Sequence, residues 1–526
     1  MNLADGLELT KLRAALDKTT PGTWSAAPRV AGRRVTGDQR PCRDPADRRR
    51  IVGTVDFADE STALEAVDAA SDGFPRWSKT PPGERAELLR RAAELFENDT
   101  AELVARCVAE AGKCLADSLA EVREAVDLLR YYAAECERLF SRPNVLPGPT
   151  GERNELRLTA RGVFVCISPW NFPAAIFTGQ VAAALAAGNT VVAKPAEQAS
   201  LVASHAVELM RRAGIPADAL QFLPGDGATL GDKLLADPRV AGVAFTGSVE
   251  TAAAINRRLA QRSGPLATLI AETGGVNAMI VDSSALPEQV VRDATYSAFN
   301  SAGQRCSALR LLCLQEEAAP EILRLLCGWL DELEIGDPAL LATDVGPVID
   351  EEAHATLEEY IESHRARLIH RGSLDESHAH GLFVPPTLLE LDRAGDLKTE
   401  VFGPVLHIVR YAAERVMDTV DEINGNGYGL TLGVHTRIDA FARSVAERAH
   451  VGNVYVNRNM IGAQVGVQPF GGMGLSGTGP KAGGPSYVAR FGVEQTVTTN
   501  TAAVGGNATL LSLGNDTIVT QGPSAT

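Results

Sequence analysis

What this chain of 526 residues lacks narrows the field before any motif is read. No apolar run approaches the ~18 residues of a membrane span, so a membrane-embedded protein is excluded and a soluble, cytoplasmic one is expected. The eight cysteines (Cys42, Cys107, Cys114, Cys136, Cys166, Cys306, Cys313 and Cys327) form no Cys-x-x-Cys pair and sit near no histidine grouping. Neither a disulfide framework nor a zinc site is indicated, and no metal is expected. Basic residues are in deficit: Lys+Arg 50 against Asp+Glu 66 gives a net charge of −16, which argues against nucleic acid or an anionic membrane as partner. The first residues carry acids and bases without an apolar core, so no secretory signal is read there. No internal repeat and no long low-complexity tract is found.

What is present is the composition of an α/β protein, 45% apolar and 22% charged. The length exceeds one ordinary core and implies two large units, with the cleft between them as the default site. If the substrate is an anion, the global charge repels it. Attraction must then come from a local set of donors.

Residues 1 to about 60 mix Pro, Gly and charge, and 63–140 read as successive amphipathic helices, for example 85–97 with Leu88, Leu89, Ala92, Ala93 and Phe96 on one face. A Pro/Gly-rich stretch over 141–151 breaks the helical pattern before a short strand over 154–158. From Gly162 the pattern becomes strand, turn, helix, repeated: strands over 163–167, 190–193, 220–223 and 240–245, helices over 177–187 and 200–213. That alternation predicts a parallel, doubly wound sheet with its ligands at the carboxyl ends of the strands. A second run follows, with strands over 278–281 and 310–315, a helix over 287–301 and helices to Leu333. From about Ala502 the chain turns Gly/Asn/Thr-rich and reads as an irregular tail.

Several strand ends carry chemistry. Gly303-Gln304-Arg305-Cys306-Ser307 puts a thiol in a small-residue turn that exposes sulfur, as a nucleophile requires, although alone a buried structural thiol is the commoner case. Glu272-Thr273-Gly274-Gly275 ends another strand with a carboxylate suited to activating water, where an ordinary turn acid is the alternative. Asn171, between Pro169-Trp170 and Phe172-Pro173, is an amide that can donate to an oxyanion or simply cap an Asx-turn. Lys194-Pro195-Ala196-Glu197 offers an ammonium and a carboxylate for vicinal ribose hydroxyls, and Glu197 would repel a 2′-phosphate, favouring NAD over NADP; a solvated salt pair is the alternative. Gly225-x-Gly227-x-x-x-Gly231 and Phe245-Thr246-Gly247-Ser248 are strand-to-helix turns able to present backbone N–H groups to a pyrophosphate, but their spacing misses Gly-x-Gly-x-x-Gly. Glu400-Val401-Phe402-Gly403-Pro404 brackets a carboxylate and an aromatic ring, suited to a ribose and a nicotinamide, and in isolation is only a turn.

Taken in order, with Pro469-Phe470-Gly471-Gly472, these seven motifs resemble the aldehyde dehydrogenase superfamily over roughly residues 25–500. The likeness narrows to the pyrroline-5-carboxylate dehydrogenase half of the bifunctional proline utilization A proteins through 272–275 with 277–282, Arg305-Cys306-Ser307-Ala308, and the stretch from Gly471. The flavin-binding proline dehydrogenase barrel of those proteins has no counterpart here, so a stand-alone enzyme or a segment of a longer one is implied.

The resemblance implies an α/β fold with an NAD-binding unit over 1–140 and 163–275, a catalytic unit over 276–470, an oligomerisation hairpin and flap over 141–162 and 485–505, and a tail over 506–526. It implies NAD-dependent oxidation of L-glutamate γ-semialdehyde to L-glutamate. Cys306 attacks, Asn171 and the Cys306 backbone N–H hold the oxyanion, and Glu272 activates the hydrolytic water. The cofactor would meet Ile167, Pro169, Trp170, Lys194, Ala196, Glu197, Gly227, Thr246, Gly247, Ser248, Glu400 and Phe402. The substrate carboxylate would sit on Ser307, Gly462 and Ala463, and its methylene stem between Phe172 and Phe470. Ile461 and Gln464 depart from the family's pattern beside that anchor. A homo-oligomer is implied, and with it a proline dehydrogenase, either as an N-terminal FAD-dependent domain or as a separate protein. Two alternatives stand beside this reading: a dehydrogenase for another semialdehyde, such as succinate semialdehyde, and a catalytically silent scaffold.

Overall fold

Helices begin and end where the sequence supplies caps. Asp59 accepts from the Thr62 N–H and opens Glu60–Trp77, a proline in the first turn opens Pro82–Asn98, and Gly112, at φ +64°, closes Thr100–Ala111. The next helix, Leu115–Phe140, buries Leu119, Val122, Val126 and Leu129 on one side, and on another turns three acids inward, Asp117, Glu121 and the half-buried Glu124. The computed structural model describes residues 6–16, 18–19 and 22–501; the expected tail and the end of the expected flap, 502–505, lie outside them.

Two sheets organise the rest. The first runs, from edge to edge, Thr268–Glu272, Val240–Thr246, Val163–Ile167, Thr190–Lys194 and Leu220–Phe222, all parallel, then the short antiparallel pieces Arg29–Val30 and Arg33–Arg34. Strand order reverses between Val163–Ile167 and Val240–Thr246, so the loops after Ile167 and Thr246 diverge and leave a crevice at their carboxyl ends. The second sheet runs Leu368–Arg371, Thr387–Leu391, Val405–Tyr411, Leu309–Gln315, Asn277–Val281, Thr431–His435 and Asn453–Val456, parallel apart from its first pair. Its buried cluster begins at Val276, whereas the clusters around the first sheet reach Ala271 and regain the chain at Tyr487, Val488 and Phe491. The four residues between, 272–275, therefore cross from one core to the other.

The expected hairpin is a three-stranded antiparallel sheet, Asn144–Leu146, Glu152–Ala160 and Gly492–Asn500. Its middle strand is longer than the 154–158 read from the sequence, because the long-range partner Gly492–Asn500 pairs along its whole length. The expected helix over 177–187 starts earlier, at Ala175. Its free N-terminal donors are met from outside: the N–H groups of Ala174 and Ala175 donate to Glu121 Oε1 at 2.7 and 3.3 Å. No helix among the described residues is long and apolar enough to cross a membrane.

Candidate active site

Two cavities meet at Cys306. One is walled by Trp170, Asn171, Thr246, Ser248, Glu400 and Phe402 among others, the other by Glu124, Phe172, Glu272, Ser307, Ala463 and Phe470 among others, and Cys306 lines both. Everything else about the site follows from how that sulfur and its neighbours are held.

Cys306 lies between the short turn Asn300–Gly303 and the strand Leu309–Gln315. Asn277, at the start of a neighbouring strand, donates to the carbonyls of Cys306 and Ala308 at 2.7 and 2.9 Å. Arg310, fully buried, donates to the carbonyls of Gly303 (2.7 Å), Arg305 (3.0 Å) and Gly403 (3.1 Å) and to the Glu400 carboxylate (3.3 Å). The sequence reading missed both residues. Their signal was available as polar side chains inside otherwise apolar strands, which need partners when buried. The sulfur itself is half-buried, more enclosed than a turn position implied. Burial and the carboxylates of Glu272 and Glu400 push the thiol above its ordinary range, so the free site holds it protonated.

The Asn171 amide does not form an Asx-turn. Its Nδ2 donates to the carbonyl of Gln304 at 3.0 Å, which leaves the second amide hydrogen for another acceptor. Lys113, buried, fixes the same loop by donating to the Asn171 carbonyl at 2.7 Å, and it pairs with Glu121 at 3.0 Å. Its ammonium also lies 4.2 Å from the centroid of the Phe172 ring.

Glu272 is the last residue of its strand and registers with Thr246 on the strand alongside. Its Oε1 is buried without a hydrogen-bond partner. Burial pushes this carboxyl up to about 8, with Lys481 pulling down and Glu124 pushing up. The two glycines that follow make room: a Cβ on Gly274 would lie 1.7 Å from Glu400 Oε2, and one on Gly275 2.4 Å from Asn277 Oδ1. Glu400, raised to about 7 by burial against the pull of Arg310, stands over that gap.

Along the edge of the first sheet, Lys194 Nζ and the Gly227 N–H donate to one oxygen of Glu197 at 2.8 and 2.7 Å. Ala196 lies between this pair of charges, and Ile167, beside Lys194 in register, ends the adjacent strand. Ser248 caps the helix Val249–Gln261 by accepting from the Thr251 N–H at 3.1 Å, so the helix start with its free donors faces the crevice of the sheet. Pro169, Trp170, Thr246, Gly247, Ser248, Glu400 and Phe402 share one cavity wall; Lys194, Ala196, Glu197 and Gly227 form a second group farther along the strand ends. Trp170 and Phe402 meet edge to face, centroids 5.6 Å apart.

On the other side of the sulfur, Ser307, Gly462, Ala463, Phe172 and Phe470 all line the second cavity. The Ser307 hydroxyl has no partner among the described residues, and Gly462, at φ +70°, is exposed. Of the two departures from the family pattern, Ile461 is buried, while Gln464 shapes a turn, its N–H donating to Gln468 Oε1 at 3.3 Å. Glu124 was not foreseen. It lines the same cavity, has no partner among the described residues, and is raised to about 7 by burial and by Glu121, against Arg305 and Lys113. Three carboxyls (Asp117, Glu121, Glu124) thus face two cations (Lys113, Arg305), and Glu124, the carboxyl without an ion pair of its own, borders the cavity together with Arg305. No group of three or more His, Cys, Asp or Glu able to hold a metal occurs among the described residues.

An enclosed thiol reached from two sides, with an amide donor on one wall and an unpartnered carboxyl on another, is equipped for acyl chemistry at sulfur. Sequence comparison agrees in kind: the aldehyde dehydrogenase family description matches residues 34–497.

The chain belongs to the aldehyde dehydrogenase family.

Among relatives, the bifunctional protein PutA of Klebsiella aerogenes is 50% identical over 501 residues, covering 93% of this chain and 37% of that protein. The chain therefore spans little more than a third of that relative. The 1-pyrroline-5-carboxylate dehydrogenase of Geobacillus sp. (strain WCH70) is 38% identical over 489 residues, 91% of this chain and 93% of that one. Among solved structures, 1-pyrroline-5-carboxylate dehydrogenase from Thermus with bound NAD superposes with a TM-score of 0.90 at 33% identity, covering 95% of this chain and 98% of that chain. The chain shares the fold of that NAD-bound relative over nearly its full length.

Proposed function

We propose that the chain catalyses NAD-dependent oxidation of L-glutamate γ-semialdehyde, the open form of pyrroline-5-carboxylate, to L-glutamate. The observation that carries this reading is the free Glu124 carboxyl in the cavity that also holds Ser307 and Gly462. An amino-acid aldehyde brings an α-ammonium and an α-carboxylate together. Glu124 answers the first, and the Ser307 hydroxyl with the Gly462 and Ala463 backbone answers the second. Phe172 and Phe470 offer apolar walls to the methylene stem between. Succinate semialdehyde has no ammonium and would leave Glu124 uncompensated beside a bound anion. The net charge of −16 makes the same point on a larger scale, because only a substrate with local positive charge escapes the full repulsion.

The residues present fit NAD. Glu197 and Glu400 are carboxylates placed to accept from ribose hydroxyls, Lys194 can donate to them, and the helix start at Ser248 presents unpaired N–H groups to a pyrophosphate. A 2′-phosphate would meet the Glu197 charge, so NAD rather than NADP is the cofactor of this reading. Ile167, Pro169, Trp170, Ala196, Gly227, Thr246, Gly247 and Phe402 would pack around it. When bound, NAD supplies the hydride acceptor of the oxidation.

The protein's own groups do the remainder. Cys306 gives its proton to water as sulfur adds to the aldehyde carbon, and the oxygen that becomes negative is held by the free Asn171 amide hydrogen and the Cys306 N–H. After oxidation the carbon is a thioester. Glu272, as carboxylate, takes a proton from water; the hydroxide adds to the thioester carbon, the C–S bond breaks, the Cys306 thiolate takes back the proton held on Glu272, and glutamate leaves the site. The substrate of this reaction is the product of proline oxidation, so a proline dehydrogenase, as a joined domain or a separate protein, is the partner of the reading. The exposed Val145, Leu146 and Val493 on the small antiparallel sheet support pairing with a second copy.

The test is NADH formation from pyrroline-5-carboxylate by the chain as it stands and by Cys306→Ala. Turnover lost in the variant, with NAD still bound, supports the reading. No turnover in either, with succinate semialdehyde also inert, favours a silent scaffold.

A further inference from the structure

Immediately before the nucleophile loop, Ser301, Ala302 and Gly303 have φ of +54°, +53° and +67°. Three successive left-handed residues, two of them bearing side chains, do not persist unless their surroundings hold them. Arg310 holds the backbone carbonyls of Gly303 and Arg305, and one carboxylate holds the side chains. Ser301 Oγ donates to Asp117 Oδ2 at 2.7 Å, Asn300 Nδ2 to Asp117 Oδ1 at 2.8 Å, and the Arg305 guanidinium to that same Oδ1 at 3.1 Å. Asp117 is buried, 4% exposed, and belongs to the helix Leu115–Phe140, whose apolar face packs in the first core, while the turn it holds belongs to the second. One helical turn on, Glu121 pairs with the Lys113 that fixes the Asn171 carbonyl and caps the helix after Asn171. A single helix face thus grips the thiol loop and the amide loop together.

We propose that Asp117 is a positioning residue for the nucleophile: by holding the left-handed turn and Arg305, it sets where the Cys306 sulfur lies relative to the Asn171 amide. The inference rests on the reading of Cys306 as nucleophile and Asn171 as oxyanion donor, but not on the identity of the aldehyde. Without the carboxylate, Ser301 and Ala302 relax toward right-handed φ, Arg305 loses its counter-charge, and the sulfur shifts away from its acceptor site.

The test compares Asp117→Ala and Asp117→Asn, each alone and with Ala302→Gly, in the full chain. Readouts are kcat, KM for both substrates, NAD affinity, thermal midpoint, and the rate at which iodoacetamide alkylates Cys306. A displacement of the order of an ångström at a reacting atom lowers rate by about 100-fold, so Asp117→Ala is expected to lose about that much kcat. NAD affinity should stay within about threefold. Asn keeps one carbonyl acceptor and should lose less. Because glycine accepts positive φ without penalty, Ala302→Gly should restore part of the lost kcat and of the altered alkylation rate. A general loss of folding would not be repaired this way. If Asp117→Ala does not fold, Asp117→Asn carries the test. A folded Asp117 variant with kcat within threefold of the parent overturns the proposal, and so does a loss that Ala302→Gly leaves untouched while the thermal midpoint falls. If the parent chain fails to oxidise glutamate semialdehyde but the alkylation rate still responds to Asp117 and recovers with Ala302→Gly, the substrate reading falls and the positioning role stands.

Discussion

The two sides of Cys306 are built differently. The side that faces the crevice of the first sheet is made from local motifs at strand ends: Pro169-Trp170 follows a strand, Thr246-Gly247-Ser248 ends a strand and opens a helix, and Glu400-x-Phe402 leads into the strand Val405–Tyr411. The other side is assembled from distant chain: Glu124 from an outer helix, Phe172 from a loop, Ser307 beside the thiol, and Gly462 to Phe470 from a late loop. On the proposed reading the first construction would serve the dinucleotide, which does not change with the aldehyde. On the proposed reading the second is free to vary, and it is where the choice of aldehyde would be made.

If that division holds, substitutions at the junction should be the most damaging. Cys306→Ala is expected to lower kcat by on the order of 10⁴-fold or more, with NAD binding measured by fluorescence unchanged. Next, Asn171→Ala removes one donor to the developing charge and should lower kcat by about 10²- to 10³-fold on every aldehyde tested, which steady-state kinetics with two aldehydes checks. On the substrate side, Glu124→Gln should raise KM for glutamate semialdehyde about tenfold or more, the scale of a charge-assisted contact, and leave succinate semialdehyde no worse. An equal effect on both aldehydes would erase the contrast between the walls. For pH, the proposed role needs Glu272 as carboxylate, and its carboxyl is raised to about 8, so the required form accumulates as pH rises. The hydrolysis-limited rate should climb through an apparent midpoint near 8, and the climb should vanish in Glu272→Gln. The smallest effect belongs to the cofactor side: Glu197→Gln removes the charge that repels a 2′-phosphate and should narrow the preference for NAD over NADP by about tenfold, measured as the ratio of kcat/KM values.

The same division explains what could be read in the sequence. Strands over 163–167, 190–193 and 240–245 were legible because each is a short β-branched run bounded by turn residues, and the observed Val163–Ile167, Thr190–Lys194 and Val240–Thr246 differ by a residue at most. Motifs that follow such strands inherit their positions. The second sheet was legible only in its first strands. Val405–Tyr411 carries His407 in its centre, buried and satisfied by the Arg310 carbonyl and the Tyr360 hydroxyl, and Asn453–Val456 is only four residues long, so neither reads as an apolar run. Asp117, Glu121 and Glu124 were hidden for another reason. They sit at spacings of four and three on one helix, the pattern of a buried stripe, but charge on such a helix is ordinarily solvated. The cations Lys113, just before the helix, and Arg305, from far along the chain, pair with that face where it is buried. The Asn171 amide shows the limit in reverse: its motif was visible, while its partner, the Gln304 carbonyl, lies 133 residues away.

The central claim is covalent turnover at Cys306 completed by Glu272, and trapping tests it most directly. Glu272→Gln, mixed with NAD and pyrroline-5-carboxylate, should give a burst of about one NADH per site and then stall, with intact-mass and peptide analysis finding a glutamyl thioester on the peptide that holds Cys306. Steady turnover at the parent rate with no adduct, or an adduct on another residue, would contradict the account.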